Sequence, residues 1–463
     1  MSADNALPAS RRGRRNVKPD LMIDLSRRLE NDKYHPSKNP RGIIDLGSAV
    51  NELMFEDIAS WTKCNLKKTE ISNSLGYDDT QGSPELLKAA ADFMNENFHA
   101  RIPLTADNIL AANGVTTLLD TLTYNIADEG DSILLPTPSY GMFAHDISAR
   151  NGIRLVEVPC DDIPDERFTG PPPSKDESSR QSELVSRLES AIEQELGEGR
   201  KVAGILLANP ENPLGRCYAA HVLLQVSQLC ARYKIHLIVD EIYALSGDRF
   251  SSMLSLGLDV NFRNVHVLWG MSKDFGLGGI RLGFLATYNQ EVHDAMRTLS
   301  MFGWVSSFSA TVATKLLCDK KYFREHYTPT FNRRLKKRRL LVEGELKKFD
   351  VPYVEADSGF FMFVDLSEWM DFLFTKYGKD GELELLEYLM DNRVFLEPGK
   401  AFFSKEPGWF RLNFGGDKHT VKTGLQRLFR CLRALEGKEE PLTVDDITPY
   451  HPPPRHLAHI VAV

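Results

Sequence analysis

A chain of 463 residues with 42% hydrophobic and 26% charged side chains is ordinary for a soluble globular protein and long enough for two or three domains around a cofactor cleft. Its formal charge of −8 argues against a general nucleic-acid binder, whose phosphate contacts need a basic face. No run approaches the ~18 consecutive apolar residues of a membrane span, so no membrane-spanning helix is expected. The six cysteines form no CxxC pair, so neither a zinc site nor a disulfide framework is expected, and a reducing, cytoplasmic setting fits.

In chain order, residues 1–20 are polar and basic, with Arg11, Arg12, Arg14 and Arg15 clustered, and read as a disordered tail. The first clear strand covers 132–136 and runs into Thr-Pro-Ser-Tyr-Gly. Residues 161–181 hold Pro171, Pro172, Pro173, Ser178 and Ser179, which break any periodic pattern and predict a surface insertion. A second strand at 202–208 precedes Asn-Pro-Glu-Asn-Pro-Leu-Gly, and a third at 235–240 precedes Glu-Ile-Tyr. Strands at 265–269 and 283–287 flank Ser-Lys-Asp-Phe-Gly. From 437 the chain reads as a tail containing Pro452, Pro453 and Pro454.

Short apolar runs alternating with amphipathic stretches predict an α/β fold with a mostly parallel sheet covered by helices. In such sheets the carboxyl ends of the strands open onto the ligand crevice, so the polar segments just named should converge on one site.

Those segments, together with NPRGIIDLGSAVNEL at 39–53, LGYDDTQGSPEL at 75–86, VSSFSA at 305–310 and EPGWFR at 406–411, resemble the class I and II aminotransferases. These are fold type I enzymes that depend on pyridoxal 5'-phosphate (PLP), and the closer likeness is to the branch containing the 1-aminocyclopropane-1-carboxylate (ACC) synthases. The resemblance covers roughly residues 33–435 and keeps the family's motif order. It implies a large, mixed, mostly parallel sheet domain over 61–320 and a smaller α+β domain over 321–436, to which part of an arm at 21–60 belongs.

The resemblance also implies roles. Lys273, in Ser-Lys-Asp-Phe-Gly, is the lysine that carries the cofactor and afterwards serves as base at the substrate Cα. Asp240 keeps the pyridine nitrogen protonated, and Tyr243 and Asn212 bond the ring's phenolic oxygen. Taken singly, Asp240 could cap a helix and Asn212 could make a turn. Asn113, Gly114 and Val115, before an apolar helix-like stretch, match the phosphate loop, and Arg281 matches its arginine. The family's phosphate-binding serine three residues before the lysine is Gly270 here, and Ser272 is not taken to replace it. Tyr140 matches the aromatic that stacks on the ring. Arg411 matches the arginine that forks onto the substrate α-carboxylate, and Asn212 is expected to join it in binding substrate. Tyr77 matches the tyrosine sent across a homodimer interface to the neighbouring phosphate.

These residues imply a small-molecule α-amino-acid substrate without choosing the reaction. The ACC synthases' Ala-Glu-Asn is Ala49-Val50-Asn51 here, and their tyrosine two residues before a Gly-Leu-Pro turn is Thr80, which argues against ACC synthesis. The expectation is an aminotransferase of specialised metabolism. A carbon-sulfur β-lyase on cysteine conjugates is the alternative, and a PLP-binding regulator without catalysis is the non-enzymatic one.

Overall fold

The computed structural model describes residues 7–163 and 182–441, apart from 18, 68, 248 and 258. Most of the expected insertion at 161–181 and of the tail at 437–463 lies outside the described residues. In the basic N-terminal stretch, where no element was expected, Arg11–Arg15 form one turn of helix with Ser10 Oγ accepting from the Gly13 amide, and that turn buries nothing.

The organising element is a seven-stranded sheet built from β2 (Ile109–Ala112), β3 (Ser132–Thr137), β4 (Arg154–Pro159), β5 (Val202–Ala208), β6 (His236–Asp240), β7 (Val265–Gly270) and β8 (Gly283–Thr287). Its order is β2-β8-β7-β6-β5-β3-β4. The pairs β4/β3, β3/β5, β5/β6 and β6/β7 are parallel, whereas β8 runs antiparallel to both β7 and β2. Every residue of β3, β5, β7 and β8 is buried, which is why these strands read as unbroken apolar runs: helices cover both faces and leave no polar side. Because β3, β5, β6 and β7 are parallel, their carboxyl ends share one edge. The segments that follow them, from Tyr140 to Lys273, therefore meet there.

Two smaller pairings sit beside this sheet. Strands β9 (Phe361–Asp365), β11 (Glu397–Pro398) and β12 (Trp409–Asn413) form an antiparallel sheet in the order β11-β12-β9. Strand β1 (Ile44–Asp45) pairs in parallel with β10 (Val394–Phe395), joining the N-terminal segment to the C-terminal one. The Asn413 amide adds a bond to Leu46 O at 2.6 Å. The fold is thus the mixed α/β class expected. Among the described residues no helix is long and apolar enough to cross a membrane.

Candidate active site

A cavity of about 700 Å³ opens at the carboxyl edge of the large sheet, lined on one side by Tyr140, Asn212, Asp240, Tyr243 and Lys273 and on the other by Glu397 and Arg411. Lys273 follows β7 on a one-turn helix, Met271–Asp274. Its neighbours are fixed. Trp269, fully buried on β7, stacks on Phe93 at 5.2 Å and on Phe284 at 5.7 Å, and its Nε1 donates to Asp274 Oδ2 at 3.0 Å. Tyr327 Oη and Asn51 Nδ2 donate to the main-chain carbonyls of Asp274 and Lys273 at 2.6 and 2.8 Å. Within this frame Lys273 Nζ donates to Ala49 O at 2.7 Å. Burial lowers its pKa to about 8, Arg411 and Arg281 add repulsion, and Asp240 opposes them. An amine poised there can act as nucleophile or base near neutral pH.

Asp240 ends β6, with Oδ1 accepting from the Ile242 amide at 3.1 Å. Burial raises its carboxyl to about 7, so it wants a cationic partner in the cavity. Tyr243, three residues on, is buried edge-on against Phe360 and Phe361, and Tyr140 meets Phe143 edge-on. Burial pushes both phenols up, so they stand as hydroxyl donors.

The anion end is the helix Val115–Ile126. Gly114 is its N-cap at φ +117°, and a Cβ there would lie 2.6 Å from Arg281 Nη2. The space between turn and guanidinium exists only because the residue is glycine. Helix-start amides facing a cation make a phosphate cradle. Val115 and Arg281 line the cavity, but Asn113 does not: its Oδ1 accepts from Thr117 Oγ1 at 2.5 Å and secures the first helical turn instead. A Cβ at Gly270 would meet Leu282 O at 2.9 Å, so β7 has little room for a serine at that position. Ser272, set aside in the motif reading, does line the cavity.

Arg411 is on β12, 2% exposed, with its guanidinium 4.7 Å from the Phe402 ring centroid. Nε and Nη2 donate to Gly47 O at 3.0 and 2.8 Å, and Nη1 donates to Asn212 Oδ1 at 2.8 Å. Asn212 therefore touches Arg411 from the other wall. Tyr77 is apart from all of this: it is 95% exposed, stacked on Trp304 at 5.1 Å, and does not line this chain's cavity.

The motifs passed over several lining residues. Met22, Ile23 and Arg27 come from the helix Leu21–Asn31; Ala49, Val50 and Asn51 of the loop after β1, noted in the sequence, line the cavity too. Val50 lines the cavity where the ACC synthases' motif has its acid. Asp146 and Glu397 are buried acids, each raised to about 7 chiefly by burial. The only signal for either was an acid inside an apolar run, Met-Phe-Ala-His-Asp-Ile and Val-Phe-Leu-Glu-Pro.

Known proteins resemble this chain in sequence and in fold. Residues 41–428 match the family model "Aminotransferase class I and II". The mouse 1-aminocyclopropane-1-carboxylate synthase-like protein 1 is 34% identical over 426 residues, 91% of this chain and 81% of its own. A human protein named "probable inactive 1-aminocyclopropane-1-carboxylate synthase-like protein 2" is 32% identical over 419 residues, 89% of this chain and 70% of its own. Aspartate aminotransferase from Thermus thermophilus with maleate superposes with a TM-score of 0.73, covering 92% of this chain and 100% of that one. At 20% identity it shows the fold alone.

Proposed function

Because the chain belongs to the class I and II aminotransferase family, whose members work with PLP, we propose that it transaminates an α-amino acid or a metabolite derived from one. When bound, PLP supplies an aldehyde that captures an amine and a ring that takes up the electron pair left at the substrate Cα. The chain supplies the rest. Lys273 Nζ holds the cofactor and then moves the proton at Cα. Asp240 holds the proton on the ring nitrogen. Tyr243 and Asn212 bond the phenolic oxygen, and Tyr140 covers the ring. The Val115 amide at the helix start binds phosphate with Arg281, and the open space beside Gly114 fits that anion.

One observation carries this reading: a half-buried amine lowered to about 8 shares a cavity with a buried guanidinium. A base for the Cα proton and an anchor for the carboxylate are what an α-amino acid requires. Val50 in the cavity wall, with no acid in that motif, speaks against ACC synthesis. Lys273, Asp240 and Arg411 together favour catalysis over a regulatory role, although one relative bears an inactive name.

Tyr77, exposed beside Trp304, is the reach of one subunit toward a second copy's phosphate, so the working form is a homodimer. The test is to supply PLP-loaded protein with a panel of amino acids, keto acids and cysteine conjugates. Keto acid formed only with an amino acceptor supports transamination. Pyruvate, ammonia and thiol from a conjugate would make it a lyase, and no turnover of any substrate would make it a regulator.

A further inference from the structure

Glu397 has no place in the roles above. It is 5% exposed, lines the cavity, and its buried Oε1 accepts no hydrogen bond from the described residues. Buried carboxylate oxygens are nearly always satisfied, so an orphan facing a ligand cavity marks a bond awaiting a partner. The β11–β12 register sets Glu397 directly opposite Arg411, so the two side chains leave the same face of the small sheet. Arg411 attracts Glu397 electrostatically but gives it no hydrogen bond: Nε and Nη2 donate to Gly47 O and Nη1 donates to Asn212. The other charges acting on Glu397 are the carboxylates of Asp45 and Asp20, which make the position more negative.

We infer that Glu397 reads the substrate side chain and that the preferred substrates are α-amino acids whose side chain carries a nitrogen cation, an ammonium, guanidinium or imidazolium. This rests on the reading of Arg411 as the α-carboxylate anchor. With that end of the substrate on Arg411, the adjoining carboxylate is left to the side chain. Arg27, on the helix Leu21–Asn31, is the cation that would favour an acidic side chain instead. It is exposed where it lines the cavity, and solvent and salt screen it far more than they screen a sealed carboxylate.

The experiment compares length-matched pairs, lysine with norleucine and ornithine with norvaline, on the PLP-loaded dimer. It measures kcat/KM and, separately, the amino-acid-induced change in cofactor absorbance as a binding readout. The cationic member should be preferred at least roughly tenfold, and Glu397→Gln should remove at least roughly tenfold of that preference, as expected on losing one partner of a desolvated charge pair. Glu397→Asp, which keeps the charge, should retain part of it and shows that the position tolerates change. Equal use of both members overturns the proposal, as does a Gln variant that slows both members alike, the mark of a structural role. A preference for glutamate over its neutral isostere overturns it in favour of Arg27. If no amino acid perturbs the absorbance, the functional reading fails and takes this proposal with it; if norleucine does so as well as lysine, only this proposal fails.

Discussion

The two walls of the cavity are built on different principles. The wall bearing Asp240, Tyr243, Asn212 and Lys273 stands at the ends of parallel strands that are buried almost throughout, so side-chain positions follow from sheet register. The wall bearing Arg411 and Glu397 hangs on strands of two to five residues and on a loop carbonyl, Gly47 O. Register tolerates no slippage, since a one-residue shift turns every side chain to the other face. A wall held by loops can change one contact at a time. The first wall should therefore govern whether chemistry occurs, and the second which substrate undergoes it.

The contrast is open to attack, most severely at Lys273. Lys273→Ala should lower turnover at least about 10³-fold for every substrate while the fold persists, because the side chain is only partly buried and its base role is not shared. Borohydride reduction of the native protein should fix the cofactor on Lys273, and mapping it to another lysine breaks the assignment.

Arg411→Lys keeps the charge and loses the planar fork, so kcat/KM for α-amino acids should fall at least roughly tenfold with cofactor binding intact. Amines without the α-carboxylate should be poor substrates and indifferent to the change. If they react as well as their parent amino acids, the second wall does not select substrate.

Tyr77→Phe should weaken cofactor retention by about tenfold, the value of one hydrogen bond to a charged group. Mixed with Lys273→Ala, it should restore activity through hybrids in which one site carries neither lesion. Demonstrated subunit exchange without recovery would return Tyr77 to the surface of its own subunit.

The smallest effect concerns cross-talk between the walls. Capture of added PLP by apoprotein should rise with pH around about 8, the value of the Lys273 ammonium, instead of the ~10.4 of free lysine. Arg411→Gln removes a repelling cation and should move the midpoint up. Asp240→Asn removes an attracting carboxylate and should move it down. An unmoved midpoint in Arg411→Gln would mean that the walls do not feel each other's charge, while the Asp240→Asn shift reports the charge within the first wall.

How much was legible follows the same division. Strands at 202–208 and 283–287 have the bounds expected, because fully buried strands leave unbroken apolar runs. Strand β2 is only four residues of Ile, Leu and Ala, and β4 is an edge strand with exposed Arg154 and Glu157, so neither stands out. The residues expected to meet after the sheet strands do so. Asn113 is the exception among the phosphate-loop residues, since which atom of a turn faces a ligand depends on dihedrals that sequence does not display. Glu397 and the N-terminal helix were invisible for another reason: their meaning comes from segments at opposite ends of the chain, and no local pattern encodes that meeting.

That long-range closure bears on how the molecule is made. Strand β1 waits for β10, and Leu46 O waits for the Asn413 amide, so a ribosome has released nearly the whole described chain before the first strand finds its partner. The large sheet, complete by Thr287, has no such delay. A nascent chain can thus expose a finished cofactor shelf with no far wall, and loop-closure entropy sets the tempo of the final step. A stop codon between Thr287 and Arg411 leaves the large sheet its sequence and removes the far wall of the site.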